Sequence, residues 1–243
     1  MSSTSQFANR KEAGKALAKL VLKRKFIDPV VLALPRGGVP VAVEVARALH
    51  APLDLVLVRK IGVPYQPELA AAAVVDGGHP EIVINDDVVG AASITEAQIS
   101  ARAKIELAEI ERRRNAYLAG RERIPLTGRI LILVDDGIAT GASVRAAITA
   151  LRRKAPKRLI LAVPVAPEET LERLRDEVDE VICLEMPSPF RAIGHHYRDF
   201  HQVPDTEVVR LMNEAAVFGQ PIEHPEALHG TAQGTAQGTA QES

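Results

Sequence analysis

The chain holds a single cysteine, Cys183, in 243 residues, so it can form no internal disulfide framework and no cysteine-based zinc site. Tryptophan is absent and aromatic residues make up only 3%, which leaves few platforms on which single-stranded bases could stack. An excess of either charge is lacking as well. With 30 Lys and Arg against 31 Asp and Glu, the net charge of -1 supplies no bulk field for polyanions and argues against general nucleic-acid binding. No window reaches the ~18 apolar residues of a spanning helix, because charge or proline interrupts every run. The opening stretch MSSTSQFANRKEAG has no apolar signal core. The expectation is a soluble, cytoplasmic globular protein with no membrane partner.

What is present is core-forming material: 47% of residues are hydrophobic, in a chain long enough for one large or two small domains. Ala13, Leu17, Leu20 and Val21 recur at helical spacing, predicting an amphipathic helix over Arg10–Lys25. Val30–Leu34 and Leu53–Val58 are short runs apolar on both faces, separated by a helical pattern over Val39–Leu49. The same alternation returns as strand Arg129–Val134, helix Ala142–Lys154, strand Arg158–Val163, helix Pro167–Glu177 and strand Glu180–Leu184. Doubly covered strands alternating with helices predict an α/β fold, a mostly parallel central sheet flanked by helices.

Between these halves, Gly62–Glu68 has the Gly and Pro content of a loop, and Asp76-Gly77-Gly78 reads as a turn joining Ala72–Val75 to Ile82–Ile84. Ile94–Ala119 predicts a long charged helix capped by Ser93 or Thr95. Met186–His201 is irregular, and Asp205 is placed to cap a final helix through Phe218. Gly-Thr-Ala-Gln occurs three times from Gly230 to Gln241, a composition that cannot bury a core. The organisation expected is one domain over 1–219, without an internal linker between residues 6 and 219, followed by a disordered tail over 220–243.

Chemistry concentrates in Leu131–Ser143, where a buried strand runs into Asp135-Asp136, then a small-residue loop, then a helix. Open α/β sheets bind ligands at the carboxyl ends of their strands. The loop Ala139-Thr140-Gly141-Ala142-Ser143 offers successive amides with little bulk ahead of a helix N-terminus, an anion cradle to which Thr140 and Ser143 add hydroxyls. Two acids beside such a cradle suit a ligand that also carries hydroxyl groups or a divalent cation, as a phosphorylated sugar does. The structural alternative is that the acids merely cap a turn. No G-x-x-x-x-G-K-[ST], G-x-G-x-x-G or G-x-S-x-G string is present.

Val134-Asp135-Asp136-Gly137-Ile138-Ala139-Thr140-Gly141-Ala142-Ser143 resembles the phosphoribosyl-pyrophosphate (PRPP) signature of type I phosphoribosyltransferases, in an uncharacterised bacterial-type branch. Flanking it are Ala33-Leu34-Pro35-Arg36-Gly37-Gly38 and Val58-Arg59-Lys60-Ile61-Gly62-Val63-Pro64, and the resemblance runs over roughly residues 6 to 219. It implies that Asp135 and Asp136 hold the ribose hydroxyls and that the loop from Ala139 to Ser143 holds the ribose phosphate. Arg36, Gly37 and Gly38 would bind pyrophosphate, in a turn that often has a cis peptide in the family, and Arg59 and Lys60 would lie near the diphosphate. It further implies Mg²⁺, held mainly through the ligand with Asp135 and Asp136 as candidate protein ligands, a mobile loop over Ile61–Ala73, a homodimer, and a small hood at about residues 186–203.

Within that hood Phe190, Tyr197 or Phe200 could stack on a nucleobase-like acceptor and Asp199 could accept a base N–H; packing of a C-terminal helix is the structural alternative. His195-His196 suggests a metal pair only superficially, because adjacent side chains on extended backbone point apart. Several base-salvage members carry a further Lys or Arg in the closing loop, whereas Gly62–Glu68 has none; Ser143 replaces the more usual Thr. The function implied is Mg²⁺-dependent transfer of phosphoribose from PRPP to a nucleobase-like acceptor with release of pyrophosphate. Two other readings stay open: a PRPP-binding regulatory module, to which Arg112-Arg113-Arg114, Arg121 and Arg123 would offer an RNA patch if they are not a salt-bridged helix face, and hydrolysis or pyrophosphorolysis of a sugar phosphate in the same cradle.

Overall fold

A computed structural model of the chain describes residues 6–219 except 64, 77–79, 93 and 119. Ser93, the glycines of the Asp76-Gly77-Gly78 turn and the repeat-bearing tail over 220–243 lie outside the described residues.

The chain opens with α1 (Arg10–Leu22), whose start is fixed by the Asn9 side chain accepting the Glu12 amide and whose inner face buries Ala13, Leu17 and Val21. β1 (Pro29–Ala33) is buried along its whole length, and α2 (Gly38–Leu49) follows. The apolar run at Leu53–Val58 is not one strand. It divides at Val56 into β2 (Leu53–Leu55) and β3 (Leu57–Val63), which belong to different sheets. Nor is Gly62–Glu68 a loop: β3 pairs antiparallel with β4 (Gln66–Asp76), with register shifts around Gly62. β5 (Pro80–Ile84) completes this small antiparallel sheet, pairing Asp76 with Pro80.

A short helix that the sequence pattern did not suggest, α3 (Asp86–Ala92), precedes α4 (Glu96–Leu118). Thr95 starts α4 with a reciprocal cap: its hydroxyl accepts the Gln98 amide at 3.3 Å while Gln98 Oε1 accepts the Thr95 amide at 2.9 Å. The second half comprises β6 (Ile130–Val134), α5 (Ala142–Arg152), β7 (Arg158–Val165), α6 (Glu168–Arg175), β8 (Glu180–Glu185) and α7 (Asp205–Glu214). Asp205 does not cap α7. Pro204 precedes the helix without a side-chain cap, and the Asp205 carboxylate turns elsewhere, as described below.

β2, β1, β6, β7 and β8 form a five-stranded parallel sheet in that order. Strand alternation sends Ile130, Ile132 and Val134 into the core shared with α1, α2 and α7, and Leu131 and Leu133 into the core under α5 and α6. The fold is therefore α/β, with helices on both faces of the sheet and a small antiparallel sheet beside it. The segment 186–203 contains a 3-10 turn at Ile193–His196 and makes a parallel bridge from Tyr197 to Phe7. None of the described helices is long and apolar enough to cross a membrane.

Candidate functional site

β1 and β6 are parallel neighbours in register, Ala33 opposite Val134, so the loops that follow them emerge side by side. The Leu34 amide donates to Val134 O at 3.0 Å, and the next peptide but one, Pro35–Arg36, is cis. The turn then passes directly over the acid pair. A Cβ on Gly37 would lie 2.2 Å from Asp136 Oδ2, which is why this position has no side chain.

After β6 the chain forms the cradle. Gly141 has φ +80°, a left-handed conformation that turns the loop into α5. The Arg145 amide donates to Gly141 O at 2.8 Å, which leaves the amides of Ala142, Ser143 and Val144 ahead of the first helical hydrogen bond. Two contacts hold the loop in place: the Ile138 amide donates to Val165 O at 2.9 Å, and Thr170 Oγ1 donates to Ala139 O at 2.9 Å. The resulting cavity of about 160 Å³ is lined by Asp135, Lys60, the run Gly137–Val144 and Ile193.

The two acids part company here. Asp135 lines the cavity and accepts the Asp136 amide at 2.8 Å. Burial, and then the adjacent Asp136 charge, push its carboxyl well above the usual carboxylate range. Asp136 lies under Gly37 and is tied to α1, where Arg10 Nε donates to its Oδ2 at 2.7 Å. Burial raises its carboxyl too, opposed by the Arg10 charge. Arg10 also donates to His201 O at 2.8 Å and lies 3.8 Å from the centre of the Phe200 ring, and the Tyr197 hydroxyl donates to Asp136 O at 2.5 Å. The opening helix, the second acid and the segment 186–203 are thus one unit.

The basic residues divide in the same way. Adjacent positions on β3 point to opposite faces. Lys60 lines the cavity, with no ion-pair partner among the described residues, whereas Arg59 Nε pairs with Glu106 on α4 at 2.7 Å. Arg36 reaches Asp205 Oδ1 at 3.2 Å, and the buried Tyr117 hydroxyl donates to the same oxygen at 2.7 Å. Asp205 is therefore held ionised by its Tyr117 hydrogen bond and the Arg36 charge, and burial followed by Asp205 pushes the Tyr117 hydroxyl up to about 12.

The cradle, the cavity acid and the arginine turn thus emerge from neighbouring loops after β1 and β6, and comparisons with known proteins place the chain in a family. The description "Phosphoribosyl transferase domain" matches residues 3–199. The chain belongs to that family. Two Mycobacterium tuberculosis proteins, each named "Putative phosphoribosyl transferase", are 46% identical to it over 209 residues, covering 86% of this chain and 47% of theirs. The chain thus spans about half the length of these curated relatives. The crystal structure of TT1426 from Thermus thermophilus is 40% identical, with a TM-score of 0.77 over 87% of this chain and 99% of that one.

Within this phosphoribosyl transferase fold, the aromatics of the segment 186–203 pack on one another. Tyr197 is 3% exposed between Phe7 and Phe200, with ring centroids at 5.6 and 5.0 Å. Phe190 stacks on the His196 ring at 5.5 Å, and Asp199 accepts from His201 Nδ1 at 2.9 Å. Ile193 reaches the cavity instead, because Gly137 lets it pack against the backbone: a Cβ there would meet Ile193 Cγ2 at 2.7 Å. Arg10, Tyr117, Ile193 and Asp205 join the site without any local sequence signal. The arginine run is salt-bridged: Arg112 and Arg113 hold Glu109, and Arg114 and Arg123 hold the buried Asp76. No cluster of three or more His, Cys, Asp or Glu among the described residues would enclose a metal by itself. One cavity carboxylate, Asp135, beside a phosphate cradle fits Mg²⁺, which binds through one or two carboxylates together with substrate phosphates.

Proposed function

We propose that this chain transfers the phosphoribosyl group of PRPP to a nitrogen nucleophile, releasing pyrophosphate. The observation that carries the reading is that the cradle amides and the Asp135 carboxylate line one cavity, so a phosphate and the hydroxyls of the sugar bearing it find partners together. The 5-phosphate sits on the Ala139–Ser143 amides with the Thr140 and Ser143 hydroxyls, and Asp135 accepts the ribose hydroxyls. Arg36, Gly37 and Gly38, the turn pressed against the acids, take the diphosphate, and Lys60 supplies its free cation.

As the bond from the anomeric carbon to the diphosphate breaks, positive charge grows on the sugar and negative charge on the leaving group. Arg36 and Lys60 meet the second, and the Asp135 carboxylate favours the first. The acceptor nitrogen forms the new bond to the anomeric carbon and gives up its proton to the released pyrophosphate or to water. Asp135, together with the diphosphate, would hold Mg²⁺, which when bound would supply Lewis-acid neutralisation of the leaving group. Asp136 and Arg10 position the loop, and Arg59 holds β3 against α4.

Pyrophosphate release from PRPP, measured over a panel of purines, pyrimidines and pyridine carboxylates, tests the proposal. Release with at least one acceptor, lost in Asp135→Asn, supports it. PRPP binding without release from any acceptor favours the regulatory reading, for which the absence of a Lys or Arg across Gly62–Glu68 is the relevant observation. Undiminished PRPP affinity in Asp135→Asn rules out the site.

A further inference from the structure

The cradle adjoins a second space. Beyond it lies a groove of about 560 Å³ between the small antiparallel sheet and the helices α5 and α6, and Lys60, Thr140, Gly141 and Ala142 line both spaces. Asp135 lines the small cavity and not the groove, so a sugar turned toward Asp135 presents the far side of its phosphate to the groove. Among the described residues the groove's lining has four cations, Lys60, Arg145, Arg153 and Arg173, and no carboxylate. Those described lining residues include no aromatic ring either and five alanines, which leaves depth without a surface for stacking a base.

The donors are arranged in a row. Arg145, Thr149 and Arg153 follow one another at four-residue intervals from the start of α5, hence on one helix face over about 12 Å. Arg173, one turn beyond Thr170, faces them from α6. Each arginine is held by a glutamate that is not part of the lining: Arg145 by Glu177 at 2.6 Å, Arg153 by Glu81 at 3.1 Å and Arg173 by Glu169 at 3.4 Å. All three guanidinium groups are more than half exposed, and such pairs are weak in water. A phosphate offering charge-assisted, bidentate hydrogen bonds competes successfully for them.

We propose that this groove is a subsite for the additional phosphoryl groups of a nucleoside 5′-di- or triphosphate whose first phosphate occupies the cradle. Such a ligand excludes PRPP from the cradle and acts on the enzyme as a competing effector. The inference rests on the cradle binding a sugar 5-phosphate, as argued above.

Binding of AMP, ADP and ATP to the full chain, by calorimetry at fixed ionic strength without Mg²⁺, tests it, with PRPP titrated in parallel. ADP is expected to bind about tenfold more tightly than AMP, in keeping with one added charge-assisted contact. The Arg145→Gln/Arg173→Gln double variant should abolish that difference while holding PRPP affinity within about twofold, and Arg145→Lys alone should preserve most of it. Retained PRPP binding also shows that the double variant is folded. Equal affinities for AMP and ADP in the unaltered chain overturn the proposal, as does a preference for ADP that survives the double substitution. Loss of PRPP binding in the double variant overturns it too, since the groove would then belong to the PRPP site. If the unaltered chain binds no PRPP but shows the ADP preference, and the double variant loses it, the transferase reading fails and the groove stands.

Discussion

Arg10 Nε lies 2.7 Å from Asp136 Oδ2, across 126 positions of sequence, with both side chains 10% exposed. The pair anchors the acid loop to α1, and the carboxylate of Asp136 in turn fills the space under Gly37. Removing the guanidinium would strand a buried carboxylate beside a second one. Arg10→Ala should therefore cost about 3–5 kcal/mol in urea unfolding. Asp136→Asn should also destabilise the fold, and the double-mutant cycle should show strong non-additivity. Additive effects would mean that the contact carries little energy.

Asp135 behaves in the opposite way. Its carboxyl is raised in the folded chain, so the fold binds its proton more tightly than the unfolded chain does. Its contribution to stability is then greatest at low pH and declines as pH climbs from the ordinary carboxylate range through the raised value. Asp135→Asn should remove that loss. At mildly alkaline pH the variant should melt higher than the unaltered chain, the difference fading as pH falls below the ordinary carboxylate range, while PRPP binding falls. A lower melting temperature for Asp135→Asn across the whole range would contradict the reading of its burial.

Asp205 orients Arg36 from the first turn of α7. Asp205→Ala should weaken inhibition by pyrophosphate and raise KM for PRPP by about tenfold with a smaller effect on kcat, because a loose guanidinium pays more entropy to bind. The same substitution should bring the Tyr117 hydroxyl down from about 12 toward its ordinary range, visible by ultraviolet titration, with burial retaining part of the shift. A Tyr117 titration that does not move would show that Asp205 is not its partner in solution.

Asp76 is fully buried at the end of β4, where Arg114 holds it at 3.1 Å and Arg123 at 2.6 Å. Asp76→Ala would leave Arg114 with Asp54 at 3.6 Å as its remaining carboxylate. We expect a loss of about 3–5 kcal/mol, together with faster amide exchange in β4 and β5 than in the parallel sheet. Uniform exchange across both sheets would show that the small sheet has no independent opening.

The parallel sheet was legible because β1, β6 and β7 are apolar on both faces and each is followed by a helical pattern, as in Ile130–Val134 before Ala142–Arg152. The small sheet was not. Gly62 lies in β3 at a register shift, so a residue that reads as a loop signal instead produces a bulge in a hairpin. The division at Val56 is silent because Leu53–Leu55 and Leu57 are equally buried on either side of it. α3 is only seven residues long, and its one signal was Asn85-Asp86-Asp87, a capping residue followed by acids in the first turn.

At the site, the loops after β1 and β6 could be read from sequence because strand, turn and helix succeed one another locally. Which acid faces the cavity could not, since Asp135 and Asp136 differ only in what the rest of the fold sets beside them. Arg10 reads as one of several solvent-facing cations on an amphipathic helix, and Asp205 as a helix cap. Both acquire their partners through chain crossings of more than a hundred residues.

The division of a single apolar run at Val56 joins the two sheets through one residue. The Val56 amide is bonded to Ala33 O at 2.9 Å, which clamps it to β1, the strand that leads into the Arg36 turn. Lys60 stands four residues further along, on the arm that departs from that clamp. Lys60 and the Arg36 turn are thus tethered to the same strand through one residue that has no exposed surface, so the spacing between the two cations is inherited from the core and not from the loops that carry them.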